Sequence, residues 1–306
     1  MKTTSRTLRH CRALAALFPL VTIIATPLSA QTTTLLNESF SDGTSGWQTG
    51  TRGTISTSNT VGLDGNALVF NSQSGGSAYA RVAYTDFTGT TLANTGDTLS
   101  VSFDFKGIVY LQNTANRVIF GFFNSNDTAG IGDDRGYMGT IRADPRTGQG
   151  GSNPSQFRSL NAGPEFSDSD PGTTYTATVY LGTQFYLNGV IGEPTTGNIG
   201  DVFRFTYSIS RQENGDLLLS QTFTNVTNPA SFTSTATIAA AQVLTYTFDT
   251  LSIGHYRSGT SPAFVEFAID DVSVTFTFAV PEPATVALLL GLGGLAGAFV
   301  WRRVRR

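Results

Sequence analysis

The chain has 306 residues, a formal net charge of −3, 13 % charged residues, one cysteine and two histidines. Positions 1–30 carry four basic residues and no acid, and 281–306 four arginines against one glutamate, which leaves eleven basic and twenty-one acidic groups between them. An acidic body whose only lysine is Lys106 is a poor partner for polyphosphate, which excludes nucleic-acid binding. Cys11 lies in the basic N-terminal segment and His255 is the body's only histidine, so disulfides, thiol catalysis and multi-histidine metal centres drop out as well.

Residues 1–30 read as a secretory signal. Lys2, Arg6, Arg9 and Arg12 precede an apolar run from Ala13 to Ala25, and the segment closes on Leu28-Ser29-Ala30. The run is too short to span about 30 Å of hydrocarbon and fits a signal-peptide core, with cleavage expected after Ala30. A retained membrane anchor is the alternative.

From 31 to 279 the hydrophobic period is two, which marks strands with one face in a core and one in water. Val101, Phe103 and Phe105 alternate with Ser102 and Asp104; Phe203 to Ile209 and Val272 to Phe278 repeat the pattern. Further strands are expected at Leu35–Phe40, Ala67–Phe70, Ala78–Tyr84, Arg117–Phe123, Tyr137–Arg142, Thr174–Leu181, Leu217–Phe223, Leu244–Phe248 and Phe264–Ile269. Asn188-Gly189 and Asn214-Gly215 read as hairpin turns. Arg142–Gly172 reads as one long glycine-rich loop, and Ala236–Val243 is the only stretch between the termini that hints at helix. Many strands in about 250 residues with no linker predict a single all-β domain, a sandwich or a barrel.

The C-terminal end has three parts. Pro281-Glu282-Pro283 is followed by an uncharged run, 284–301, and by Arg302, Arg303, Arg305 and Arg306. Eighteen helical residues reach about 27 Å, enough to cross a membrane, and the basic tail holds that end on the cytoplasmic side. In this order, at residues 280–306, the parts resemble the PEP-CTERM sorting signal of Gram-negative bacteria. The resemblance implies export to the inner membrane and processing near the motif by exosortase, a transpeptidase-like enzyme. It also implies a final place at the cell surface or in the matrix, in association with exopolysaccharide and biofilm. The prolines resist helix, so the motif is expected to be extended and accessible. A permanent anchor on a proline-rich stem is the alternative.

Leu36-Asn37-Glu38-Ser39-Phe40-Ser41-Asp42-Gly43 and the closing Ile269-Asp270-Asp271-Val272 are similar to the first and last strands of jelly-roll carbohydrate-binding modules and concanavalin-like sandwiches. That resemblance implies a jelly-roll-type antiparallel β-sandwich and a structural calcium on Glu38 and Asp271, with Asp270 and Asp42 as further candidates; oxygen ligands of this kind suit calcium. The plainer reading is that Asp270 and Asp271 cap a strand or bond a turn. The acidic loop Asn124–Asp134 could hold a second ion, but it lacks EF-hand spacing and is rich in turn formers. For glycan binding the aromatic candidates are Trp47, Tyr79, Tyr84, Tyr110, Tyr137, Tyr175 and Tyr186, with Tyr79 and Tyr137 preferred because they lie near glycine-rich turns. Each could equally serve the core.

Catalytic signals are weak. The Glu-x-Asp-x-(x)-Glu pattern of concanavalin-like glycanases and the Gly-x-Ser-x-Gly elbow are missing. His255 could serve as a base in a lyase or hydrolase, but with no visible partner in the sequence the plainer reading is a strand-end histidine with a structural hydrogen bond. The expectation is therefore a non-catalytic exported protein. A dedicated carbohydrate-binding module and a polysaccharide hydrolase or lyase are the alternatives.

Overall fold

The computed structural model describes residues 30–44, 46–50, 53–61, 63–72, 80–109, 117–126, 128, 131–142, 155–165, 173–176, 179–182, 201–227, 230–256, 265–279 and 291. They form two antiparallel sheets with a shared core. The nine-stranded sheet runs β11 (Val179–Gly182), β14 (Ala230–Ile238), β13 (Leu217–Asn225), β12 (Val202–Arg211), β6 (Thr98–Val109), β16 (Val265–Thr277), β4 (Ala67–Ser72) and β3 (Gly53–Ser58). β1 (Thr32–Glu38) pairs with the second half of β16, after β4 has paired with the first half. The seven-stranded sheet runs β10 (Thr173–Thr176), β9 (Ser155–Leu160), β8 (Arg135–Arg142), β7 (Arg117–Asn124), β15 (Thr247–Tyr256), β5 (Ala80–Thr91) and β2 (Trp47–Thr49). The all-β expectation holds, and the many non-consecutive neighbours agree with a jelly-roll-type sandwich.

Alternation explains the core. Phe203, Phe205, Tyr207 and Ile209 of β12 are fully buried, while Arg204 and Thr206 between them are exposed. Phe205 sits at the centre, its ring 5.1 Å from Phe103, 5.3 Å from Phe105, 5.6 Å from Phe120 and 4.8 Å from Phe223. Such offset and edge-on pairs stabilise a core beyond their area. β7 differs: Arg117 to Phe123 are all buried, because Ile119 and Phe123 pack with Val82, Met138 and Leu160 on the far side of the sheet. One polar group of the interior is shared between the sheets. Gln221 Nε2 donates to Ser155 Oγ and, at 3.2 Å, to Ser234 Oγ.

Several expectations are corrected. The segment expected as one loop, 142–172, contains β9, whose Ser155, Phe157 and Ser159 point inward with only one large apolar residue among them. Ala236–Val243 holds only the end of β14 and a single 3-10 turn, Ala240–Gln242. The strand expected at Leu244–Phe248 begins at Thr247 and continues to Tyr256. The stretch expected as one strand, Thr174–Leu181, supplies β10 to one sheet and β11 to the other. Asn214-Gly215 does make the β12–β13 turn, with Gly215 at φ +86. Asn188-Gly189 lies outside the described residues. No helix among the described residues is long and apolar enough to cross a membrane. Of the apolar run 284–301 only Gly291 is described, and residues 1–29 are not.

Candidate functional site

The two ends of the described sandwich, near Gln31 and Phe278, meet. Phe278 N–H donates to the Gln31 carbonyl at 2.9 Å, and the hydroxyls of Thr32 and Thr277 meet at 2.9 Å. One residue further on, Ala279 N–H donates to Asp97 Oδ1 at 2.9 Å. Asp97 is 1 % exposed, and its other oxygen accepts Asn94 N–H at 2.8 Å and Asn94 Nδ2 at 3.3 Å. Next to it Gly96 has φ +89, and a Cβ there would stand 3.2 Å from Ala279 Cβ. The first residue after the expected signal cleavage is thus bonded next to the last residues of the fold. Pro281, Glu282, Pro283, Arg302, Arg303, Arg305 and Arg306 lie outside the described residues.

The closing Asp pair forms a bulge. Asp270 stands opposite Asp104, the register then slips, and Asp271 takes φ +51. Asp270 is buried, and its Oδ1 accepts Asp271 N–H at 2.8 Å. Burial, and then the nearby charges of Asp271, Asp104 and Asp64, push its carboxyl up to about 6 despite that hydrogen bond. Asp104 is held by both nitrogens of an Arg204 fork, Nε to Oδ1 at 2.7 Å and Nη2 to Oδ2 at 2.8 Å. A cavity of about 240 Å³ lies over Asp64, Asp104, Asp270 and Asp271. Of the expected calcium set, Asp270 and Asp271 line this cavity; Glu38 stands opposite Val272, next to Asp271, and accepts Phe40 N–H at 2.8 Å, and Asp42 is exposed. Among the described residues no three His, Cys, Asp or Glu side chains are grouped to hold a metal ion. Asp104 and Arg204 were not singled out from sequence; their pairing depends on register across β6 and β12, which carries no local signal.

The described residues of the loop from Asn124 are joined by turn hydrogen bonds. Asn126, at φ +53, donates its N–H to Asn124 Oδ1 at 2.9 Å, and Ser125 donates N–H and Oγ–H to Asp249 at 2.9 and 2.8 Å. Thr128 Oγ1 donates to Asp133 at 2.9 Å. Asp134 is unlike its neighbours. It is fully buried, and neither carboxylate oxygen has a hydrogen-bond partner among the described residues. Burial, and then the charges of Asp133, Asp249 and Asp86, push its carboxyl up to about 7. His255 is also fully buried, in register with Arg81 and Val118.

Tyr137 is not a platform for sugar. It is fully buried, its ring 6.1 Å from Phe248, and its Oη accepts Leu244 N–H at 2.5 Å and Thr245 N–H at 3.2 Å. Its place on the core side of β8 follows from register with Phe122 and Leu251. Tyr79 lies outside the described residues. Trp47 is buried against Phe40, and half-buried Tyr84 donates its hydroxyl to Gln48 Oε1 at 2.9 Å. A polar groove that sequence reading missed lies on the nine-stranded sheet. It measures about 440 Å³ and is lined by Lys106, Glu266, Ser56, Ser58 and Thr60 beside Val61, Val69 and Ile108.

Residues 279–306 match the model of the PEP-CTERM protein-sorting motif. The chain ends in a PEP-CTERM sorting motif. The motif marks an exported protein that is sorted at its C-terminus, and its first residue is the Ala279 that Asp97 holds. No curated protein matches the chain. Solved structures with a similar fold include lectin UEA-II complexed with galactose, at TM-score 0.46 and 9 % identity, covering 81 % of this chain and 99 % of that one. Lectin I from Ulex europaeus, in complex with the methyl glycoside of α-L-fucose, gives 0.44 and 11 %, covering 81 % and 98 %. Alginate lyase Aly36B gives 0.38 and 13 %, covering 69 % and 81 %.

Proposed function

We propose that this protein is exported behind a cleavable signal peptide and held in the inner membrane by the apolar run 284–301. An exosortase-like enzyme then processes it at Pro281-Glu282-Pro283, and it works without catalysis at the cell surface or in the matrix, among exopolysaccharide. The observation that supports the reading is the junction at Ala279: the residue that Asp97 ties to the sandwich is the first residue of the sorting motif. The arginine tail supports the orientation, since it would hold the C-terminus in the cytoplasm and the body outside. A non-catalytic role is supported by the burial of His255 and Asp134, because a general acid or base must reach its substrate. Intact-mass measurement and fractionation of the native protein test the proposal. A mass ending near 281–284, with the protein in matrix or medium, is the expected result; a full-length chain in membranes would establish a permanent anchor instead.

A second reading, carbohydrate binding, is favoured by the groove over Lys106 and Glu266. Its size is within the usual range for ligand sites, and hydroxyls beside an apolar floor suit a sugar ring. A glycan array separates the two readings. Saturable binding lost in Lys106→Ala would favour a defined ligand, and none would favour a structural matrix role.

A further inference from the structure

The last described residues of the sandwich are tied to its body. Phe278 is tied to Gln31, Ala279 is tied to Asp97, and only Val280 separates Ala279 from Pro281. Asp97 is itself fixed from behind. Besides the two bonds from Asn94, its backbone carbonyl accepts Arg211 N–H at 3.0 Å, and Gly96 N–H donates to the Arg211 carbonyl at 2.7 Å. Arg211 in turn donates to the carbonyls of Leu92 and Ala93 at 2.9 and 3.0 Å. A buried carboxylate with these partners is a rigid acceptor, and hydrogen bonds to a charged group are among the stronger ones. Gly96 removes the Cβ that would otherwise crowd Ala279.

From this we infer that Asp97 is a positioning residue for C-terminal processing: it closes the fold at Ala279 and so limits the length of chain that the processing enzyme can take. The inference rests on the sorting reading above. At no more than about 3.6 Å per residue, four residues of chain, 280–283, can reach at most roughly 14 Å from the clamp. A protease or transpeptidase binds extended chain on both sides of the bond it cuts. On the upstream side the folded body offers Val280 and then a residue whose N–H is already engaged. The enzyme therefore works at full rate only on molecules in which Ala279 has left Asp97. Processing is coupled to a small opening at the end of β16, not to the sequence of the motif alone.

The test is pulse-chase of the full-length chain in cells that hold the processing enzyme, read as conversion from the long to the short form with the new C-terminus confirmed by mass. Three variants are compared with the parent. Asp97→Ala removes the clamp. Asp97→Asn keeps an acceptor for Ala279 but sets an amide N–H against Asn94 N–H. A Gly-Ser-Gly-Ser insertion between Ala279 and Val280 leaves the clamp intact and adds reach. Asp97→Ala and the insertion are each expected to raise the conversion rate about tenfold, the factor that about 1.4 kcal/mol of local opening represents. Asp97→Asn should fall between, and the insertion should add nothing further in the Asp97→Ala background. If the two changes do not both accelerate conversion, the role of Asp97 is overturned; should Asp97→Ala fail to fold, an Asp97→Asn chain converted no faster than the parent overturns it. If the parent chain is never shortened, the sorting reading fails, and that result is distinct from equal conversion of all forms.

Discussion

Replacing Asp134 by asparagine should make the protein more stable at neutral pH and change little under acid conditions. The parent carboxyl is fully buried, neither oxygen has a hydrogen-bond partner among the described residues, and its pKa stands near 7 instead of 3.8. A group whose folded pKa is raised binds its proton more tightly in the native state. Below about pH 4 both states are protonated and the group contributes nothing to the pH dependence. As pH rises from 4 to 7, the unfolded chain releases the proton first and the native state is progressively penalised. About three pH units at 1.36 kcal/mol each give roughly 4 kcal/mol by pH 8, an upper bound that solvent screening and local relaxation reduce. Asparagine is nearly isosteric and cannot ionise, so it removes that penalty and leaves the packing. Urea unfolding of parent and variant between pH 4 and 8 measures the difference directly, and other titrating groups such as Asp270 cancel between them. The expected outcome is stabilities within about 1 kcal/mol at pH 4 that diverge in favour of the Asp134→Asn variant above pH 6. A constant difference across the range, or a variant less stable at pH 8, would refute the reasoning. Either result would mean that the native carboxylate is ionised and compensated.

Two further substitutions test the packing. Phe205→Ala removes the ring that touches four other phenylalanines and should cost about 3 to 5 kcal/mol, seen as a lower urea midpoint with unchanged slope. Tyr137→Phe leaves the N–H groups of Leu244 and Thr245 without their acceptor and should cost about 1 to 3 kcal/mol, while any glycan retention stays as in the parent.

Much was legible in the sequence because it depended on local order. Export, the motif at 281–283 and its basic tail are linear signals, and strands such as β6, β12 and β16 announce themselves through strict alternation of large apolar residues. Where serine or alanine takes inward positions between the large residues, as at Ser155 and Ser159 in β9 and Ser234 and Ala236 in β14, the same period is present but buries too little apolar surface to stand out. The sites lay further from reach. Glu38 and Asp270 look alike as sequence candidates, yet one caps a turn at Phe40 and the other sits in a bulge opposite Asp104. Tyr137 looks like an accessible aromatic until register with Phe122 turns it inward. The sequence by itself therefore determined the address and the layered β architecture, since both follow from residue type and period along the chain. Only the tertiary structure decided that Asp97 meets Ala279 from 182 positions away and that Asp134 is sealed in the interior. Cross-strand register and burial are set by the whole sandwich, and no local stretch encodes them.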